Sequence, residues 1–460
     1  MARGKKKETL TPEERLQATL VPESEQPYPV PGNWCWVKVG TISKVKGGKR
    51  LPKGRTFLEE KSDYPYIRVT DFDNESICIE NVKYIDSDTH MMIKNYTISS
   101  ADIYISIAGT IGKVGIIPEE LEGANLTENA AKITDINGAY QLYLMLFLKS
   151  EVAQNQMKDS TISTTQPKLA LFRIEDILLP LPPFSEQQRI VNRIESLFAK
   201  LDEAKQKAQD ALGGFETRKA AILHKAFTGE LTTQWRKEHG IGMESWEKLK
   251  IGTYAQVKGG KRLPKGHKLV TERTAHPYLR IADFGDRTIN DSDLHYITED
   301  TFSQIKNYII NKEDVYISIV GSIGKAGVIP ESLNGANLTE NAARIISSRT
   351  LPRYLSSFLS SPKAQNDIQN RIRSATLGKL SLLNIKDIET PIPSIEEQTE
   401  IIRILDDLLA KEQQAKEAAE GVLEQIDLIK KSILARAFRG ELGTNDPSEE
   451  SAVELLKQVL

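Results

Sequence analysis

The decapeptide VKGGKRLPKG occupies Val45–Gly54 and returns letter for letter at Val257–Gly266, 212 residues further on. This recurrence constrains the fold more than any local pattern, because the register holds far beyond the ten letters. Trp34 matches Trp246, YPYIRVTDF (Tyr64–Phe72) matches HPYLRIADF (His276–Phe284), and DIYISIAGTIGKVGIIPE (Asp102–Glu119) matches DVYISIVGSIGKAGVIPE (Asp314–Glu331). GANLTENAA is identical at Gly123–Ala131 and Gly335–Ala343. One residue is then lost and the register becomes 211, at which LPPFSEQQRIVNRI meets IPSIEEQTEIIRIL and AFTGEL (Ala226–Leu231) meets AFRGEL (Ala437–Leu442). Solenoid repeats run to about 20–50 residues. A repeat of this length is a whole domain with an appendage, present twice.

Composition bounds the class. The 460 residues suffice for two to four domains. Charged residues make up 27% and hydrophobic ones 39%, an ordinary globular balance. The net charge is −2, so a polyanionic partner must be met by local basic patches. Two cysteines, Cys35 and Cys78, cannot build a disulfide framework or a four-thiolate zinc site, and fit a reducing cytoplasm. The N-terminal MARGKKKETLTPEER has no apolar stretch after its basic residues and does not read as a secretory signal. No apolar run reaches the length of a membrane span.

Each copy changes character along its length. From Trp34 to about Pro180, YIRV, DIYISI and VGIIP read as strands, and Ala139–Met157 reads as one helix with Leu142, Met145, Leu146 and Lys149 at helical spacing. Beyond that the pattern is purely helical. Ser185–Gln188 and Ser394–Glu397 have capping-box spacing. Ile190, Ile194, Leu197, Leu201, Ala204, Ala208, Ala211 and Phe215 step by 4 and 3, a heptad seam. Its partner is Ile401, Leu405, Leu408, Glu412, Ala415, Ala419, Val422, Ile426, Ile429 and Ile433, with Glu412 breaking the apolar run. The bland alternative is that each helix packs on its own domain. The narrow stripe favours helix pairing, and two such helices in one chain pair most simply antiparallel about a pseudo-twofold axis.

Candidate binding residues gather in the repeated loops. Lys46, Lys49, Arg50 and Lys53, and again Lys258, Lys261, Arg262 and Lys265, interleave with glycines, so that backbone N–H groups and cations together suit a phosphate chain. Lys113 in GTIGKVG and Lys325 in GSIGKAG fall short of a P-loop, because Val114 and Ala326 follow the lysine; these read as strand turns whose lysines can still reach phosphate. Arg68 with Asp71, and Arg280 with Asp283, read as structural ion pairs. Asn125, Thr127, Glu128 and Asn129, repeated at Asn337–Asn341, either contact bases or cap a turn. Ser163, Thr164, Thr165, Gln166 and Lys168 face Ser374, Thr376 and Lys379 in the other copy; hydroxyls, amides and lysine are the groups used on phosphates and base edges. The six histidines form no pair at metal-ligand spacing, so no metal site is expected. No nucleophile elbow, dinucleotide fingerprint or methyltransferase motif is found, and no catalytic residue is assigned.

Two related α/β domains, each followed by PLPPFSEQQRIV or PIPSIEEQTEII opening a heptad helix that ends in ILHKAFTGELT or ILARAFRGELG, resemble the specificity subunit of a type I restriction–modification enzyme. The resemblance spans essentially the whole chain. It implies a mixed α/β fold with two target recognition domains, separated by two helices in an antiparallel intramolecular coiled coil. The corresponding boundaries are an N-terminal arm (1–32), domain 1 (33–180), spacer helix 1 (181–230), a linker (231–245), domain 2 (246–390), spacer helix 2 (391–437) and a C-terminal tail helix (438–460). It implies a non-catalytic, cytoplasmic subunit that reads a bipartite site on double-stranded DNA. Its implied partners are two methyltransferase subunits and motor/nuclease subunits. It implies no cofactor on this chain, with S-adenosylmethionine, ATP and Mg on the partners. The helix-opening segment departs in the second copy, where Ser394 stands at the place of Pro183.

A reading from another class, a coiled-coil adaptor that binds only protein, explains the seams and not the duplicated cationic loops. Because the two domains are close relatives, the target is expected to be close to a gapped palindrome. The copies differ most at Arg55–Asp63 against His267–Ala275 and at Asp73–Glu80 against Gly285–Ser292, the expected places for base-reading side chains. Short amphipathic helices at Leu10–Leu20 and Glu449–Leu460 are expected as docking elements.

Overall fold

The computed structural model describes residues 11–73, 75–159, 167–373 and 378–460. The chain forms two compact units. One holds the residues up to Lys207 together with Val422–Leu460; the other is Ala208–Gly421. Both boundaries fall inside long helices. Each unit therefore contains one α/β domain, the first part of its own helix and the last part of the other.

In the first unit, β-branched and aromatic stretches pair into two four-stranded sheets and two two-stranded ones, one of which is the short pair Phe72–Asp73 with Ser76–Ile77. One sheet runs in the order Lys44–Gly47, Ala130–Thr134, Ile103–Ser106, Val114–Gly115, all antiparallel. Its central strand Ile103–Ser106 is buried throughout, as expected for Ile and Tyr between partners on both edges. The other sheet runs Lys83–Tyr84, Pro65–Ile67, Ala124–Leu126, Thr97–Ile98, with one parallel pair at its centre. Cys35–Lys38 pairs antiparallel with Leu178–Leu181, tying the start of the domain to its end. Two helices, Gln141–Lys149 and Glu151–Asp159, lie where one was expected; Ser150 is extended (φ −64°, ψ 154°) and breaks the run.

The second unit repeats this plan. Its sheets run Ala255–Gly259, Ala342–Ser347, Val315–Ser318, Ala326–Val328 and His295–Tyr296, Pro277–Leu279, Ala336–Leu338, Ile309–Ile310. Glu247–Lys250 pairs with Glu389–Ile392.

The first long helix runs Phe184–Gly213 and, after Gly214, continues as Phe215–Phe227. The second is unbroken over 43 residues, Ile395–Ala437. Within each unit the helix segments run antiparallel. In the first, Ile190 and Ile194 share a core with Leu434 and Phe438, and Asp202 receives a 2.6 Å bond from Lys430, which also covers the ring of Phe198. In the second, Leu223 and Phe227 share a core with Ile401 and Leu405, Arg218 donates to Glu412 at 2.8 Å, and Lys416 lies over Phe215.

The seam residues divide accordingly. Ile190, Ile194, Ile401, Leu405 and Ile426 are buried, while Leu197, Leu201 and Leu408 are half-buried. The expected line fails at Ala211, Ala415, Val422 and Ile429, which are exposed. In the second helix the covered stripe passes one residue later at these places, through the half-buried Lys416, Leu423 and Lys430, while Ala419 and Ile426 stay buried. A strict heptad drifts by about 20° per repeat on a straight helix, so the covered line slips to the neighbouring position after a few repeats. The helix starts are also broader than a seam. Val191 is buried beside Ile190 because this turn packs into its own domain.

The AFxGEL stretches end the helices on the opposite copy's domain. Phe438 lies edge-on to Tyr143 and Phe147, and Phe227 does the same to Tyr354 and Phe358. Gly229 (φ +82°) and Gly440 (φ +74°) turn the chain in the left-handed region, where glycine is favoured.

Two local expectations are corrected. Ser185 lies inside the helix and donates to Glu449 instead of capping, because the helix begins one residue earlier. Ser394 does cap, accepting from the Glu397 N–H at 3.2 Å, but the Glu397 carboxylate turns inward and does not close the box. The linker is ordered structure: Thr233–Glu238 is helical and Arg236 is buried. The terminal helices, Pro12–Thr19 and Ala452–Val459, bury Leu16, Ala452 and Leu456 in the first unit's own core.

Candidate nucleic-acid interface

The decapeptide begins as an edge strand and leaves it at Gly48. Lys46 and Lys258 belong to that strand, opposite Lys132 and Arg344. Lys46 lies 3.9 Å from Asp135, which Lys44 holds at 3.0 Å. These two lysines are therefore part of the sheet surface and not of the loop.

Gly48 donates to Ala130 O at 3.0 Å and Lys49 donates to Leu126 O at 2.8 Å; Gly260 and Lys261 repeat both bonds at 2.9 Å. The backbone donators expected to cradle an anion are thus used inside the domain. The second glycine is required by crowding: a Cβ on Gly48 would stand 2.1 Å from Thr127 O, and one on Gly260 the same distance from Thr339 O. Identical letters in the decapeptide and in GANLTENAA serve one another, since each loop is sewn to the strand that GANLTENAA forms.

This sewing presents the cations. The Tyr66 hydroxyl donates to Lys49 O at 2.7 Å, and the Lys49 ammonium lies 5.4 Å from the centre of the Tyr96 ring. Tyr278, Lys261 and Tyr308 reproduce both values. Arg50 donates through Nε to Glu128 at 2.7 Å, as Arg262 does to Glu340. Burial pushes the Glu128 and Glu340 carboxyls up, but the hydrogen bonds from Arg50 and Arg262, from the backbone and from Thr127 and Thr339 together outweigh it and hold both below the usual glutamate range. Lys53 and Lys265 are exposed at the far end of the loops.

Lys379 joins the second loop, and Lys168 stands at the matching place in the first unit, bridged to Ala108. The residues after them are pinned to a neighbouring strand, Leu169 N to Ile107 O at 2.9 Å and Leu380 N to Ile319 O at 3.1 Å. In the second unit Lys261, Arg262, Lys379 and Glu340 line one groove of about 710 Å³. Ser163–Gln166, Ser374 and Thr376 lie outside the described residues. Lys113 and Lys325 are not brought to this surface. They sit in hairpin turns and reach the carbonyls of Phe72 and Phe284 at 3.4 and 3.3 Å. Lys325 lines a different cleft, with Glu216, Lys219 and Asp286. A turn that looks like a phosphate loop is here a packing element.

Of the polar residues in GANLTENAA, Asn125 is buried and bonds Ile93 O and His90, so it holds the domain together. Arg68–Asp71 and Arg280–Asp283 are structural pairs at 2.6 and 2.7 Å, with both aspartates buried. The sequence reading missed the supports: the Tyr66–Tyr96 platform, the carboxylates of Glu128 and Glu340, and the buried Glu186 and Glu397. Glu186 accepts from Trp34 Nε1 at 2.7 Å and Asn445 at 2.9 Å. Glu397 accepts from Trp246 Nε1 at 2.9 Å, and from Thr232 and Arg236 at 2.6 Å each. Pairing the repeated Trp with the repeated Glu-Gln at matched spacing was the available signal. Among the described residues there is no cluster suited to a metal ion, and no helix long and apolar enough to cross a membrane.

Residues 31–211 and 243–421 match the family model of the type I restriction modification DNA specificity domain. The chain belongs to this family. Its two copies are DNA specificity domains, each carrying its own cationic loop. The chain is similar to the type I restriction enzyme EcoBI specificity subunit of Escherichia coli, with 28% identity over 65% of this chain and 67% of that one. It is similar over nearly its whole length to the EcoKI specificity subunit of Escherichia coli (strain K12), with 23% identity over 94% of this chain and 95% of that one. The crystal structure of the HsdS subunit from Thermoanaerobacter tengcongensis shares the fold, with a TM-score of 0.65 at 20% identity over 91% of this chain and all of that one.

Proposed function

We propose that this chain is the DNA-reading, non-catalytic subunit of a cytoplasmic type I restriction–modification complex. Each unit reads one half of a split target through its loop and the neighbouring lysine. The observation that supports this best is the duplicated loop itself: the same bonds, at nearly the same distances, present the same exposed cations in both units. A protein-only adaptor has no use for such a pair of presentations. Two methyltransferase subunits carrying S-adenosylmethionine, and motor/nuclease subunits using ATP and Mg, supply the chemistry that this chain lacks motifs for.

Because the loops and their supports are alike, the two half-sites are similar, and the antiparallel helices make them inverted. The target is thus close to a gapped palindrome. Mapping methylated adenines in the source genome, with and without this gene, tests the reading. Gene-dependent methylation at a gapped site with related inverted halves is expected. Two unrelated halves overturn the palindrome, and no gene-dependent methylation overturns the assignment.

A further inference from the structure

We propose that Arg50 and Arg262 are guanine-reading residues, each held in reading position by a carboxylate, Glu128 and Glu340. The inference rests on the DNA reading above and adds which side chain reads, and which base. Both arginines stand out from the surface, with side chains 79% and 80% exposed, yet neither is loose. Each is tied through Nε at 2.7 Å to its glutamate. The glutamate is itself fixed, because its other oxygen accepts from Thr127 or Thr339 at 3.0 or 3.1 Å. Those threonines follow the central parallel strand and donate their own N–H groups to Ile67 and Leu279.

An exposed ion pair adds little to stability. Its presence in both copies therefore calls for a use outside the fold. Bonding through Nε alone leaves the Nη1 and Nη2 edge of the guanidinium facing outward. That planar pair of donors matches O6 and N7 of guanine in the major groove. Part of the side chain's conformational freedom is given up before DNA arrives, which favours discrimination. Phosphate is the poorer partner, because the carboxylate beside the guanidinium repels a second anion. Guanine offers neutral acceptors instead. Lys49 and Lys53, with no carboxylate bonded to them among the described residues, are the groups suited to phosphate. The same holds for Lys261 and Lys265. Each half-site accordingly contains a guanine at the same place, related by inversion.

The test uses the full chain assembled with its modification subunits, and a duplex library randomised across both half-sites. Arg50→Lys keeps the charge and removes the planar donor pair. We expect it to lower the preference for guanine at one position of one half-site by about 10- to 100-fold, and to leave the other half-site intact. Arg262→Lys does the same in the other half. Glu128→Gln weakens the preference at the Arg50 position only. Arg50→Ala reproduces the loss with most of the salt dependence retained. A full guanine preference in Arg50→Lys overturns the assignment. So does a uniform loss over all sequences in Arg50→Ala with the log–log salt slope shallower by about 0.9, the mark of a phosphate contact. Failure of the wild-type complex to select any sequence sinks the DNA reading itself, and is distinguishable because it precedes any variant. Unchanged melting curves verify that these exposed substitutions leave the fold intact.

Discussion

Replacing Arg236 by Met isolates the energetics of the joint between the second domain and its helix. Glu397 is only 1% exposed and its carboxyl group lies 2.6 Å from Arg236, itself 7% exposed. Arg236 bonds Glu397 and Gly229 O at 2.6 Å and Thr232 at 2.8 Å. Without it, Glu397 keeps Trp246 and Thr232 as neutral donors. Breaking a buried ion pair from one side costs about 3–5 kcal/mol, because the remaining charge stays uncompensated. The first unit provides an internal reference. There Glu186 is fully buried, and its donors among the described residues, Trp34, Asn445 and Thr444, are all neutral. That joint also has a cation at hand, since the Arg189 guanidinium acts on Glu186 through space; with two neutral donors left on Glu397, the loss in the second unit belongs near the lower bound, about 3 kcal/mol.

Hydrogen exchange reads this unit by unit, which a single melting curve of a two-unit chain does not. About 3 kcal/mol corresponds to exchange faster by on the order of 150-fold at amides that open with the unit. That is expected for the buried strand Val315–Ser318, with Ile103–Ser106 in the first unit unchanged. Adding Glu397→Gln removes the stranded charge and should recover a large part of the loss. Exchange within about threefold of wild type in Arg236→Met, less than about 0.7 kcal/mol, would refute the buried-charge argument.

Gly48→Ala forces a Cβ to within 2.1 Å of Thr127 O and should detach the first loop, abolishing DNA binding by that half while the unit's core amides keep their protection; wild-type affinity would show that the loop is not the contact. Neutralising Lys49, Lys53, Lys261 and Lys265 together should flatten the log–log salt dependence of binding by about 3.6, at 0.9 for each phosphate released; an unchanged slope means that these lysines do not lie on DNA. Inserting one heptad into both long helices lengthens each by about 10.5 Å and should widen the methylated gap by about three base pairs; an unchanged gap removes the helices as the spacer. Arg50 should stay paired as pH falls until Glu128 protonates, below the usual glutamate range, so guanine preference should be flat from pH 6 to 8; a decline inside that window counts against the Glu128 support.

The duplication made the gross fold legible, because only a repeated domain keeps one register over so long a stretch. Strands were visible where Ile and Tyr alternate in DIYISI. The break at Ser150 was not, since helical spacing continues through it and only the backbone angles reveal the turn. At the site, the exposed cations were legible and their supports were not. Glu128 is close to Arg50 in space but 78 residues away in the chain, and nothing local in GANLTENAA distinguishes it from the buried Asn125. The glycines were read as an anion cradle because glycine allows close approach. The approach is real, but what comes close is the carbonyl of Thr127. The direction of Lys113 and Lys325 was not legible for a related reason: a Gly-rich turn with a lysine says that the backbone bends and does not say where the bend points.

The places where the copies differ sort into two kinds. At Glu75 and Arg287, both in the left-handed region (φ +76° and +59°), the divergent segment lies against a helix and not beside the loop. Glu75 pairs with Lys149 and borders the long helix at Ile194 and Phe198. Arg287 bonds Ser357 at 3.1 Å and lies 3.7 Å from Asp406, which Arg353 also holds at 3.0 Å. The first junction is lined by Leu142, Met145 and Leu146 where the second has Arg353, Ser356 and Ser357. Divergence here changes the contacts between each domain and its helix. The other divergent segment starts directly after the identical decapeptide. Arg55 lies 3.5 Å from Asp86, while His267 bonds Thr301 at 2.7 Å and Gln304 at 3.2 Å. Both sit at the start of a matching helix, Ser87–Ile93 or Glu299–Ile305, at the end of a loop whose cations are shared. On the proposed DNA reading, a common loop with a variable residue at its end is the arrangement that would give two half-sites the same backbone contacts and a few different bases.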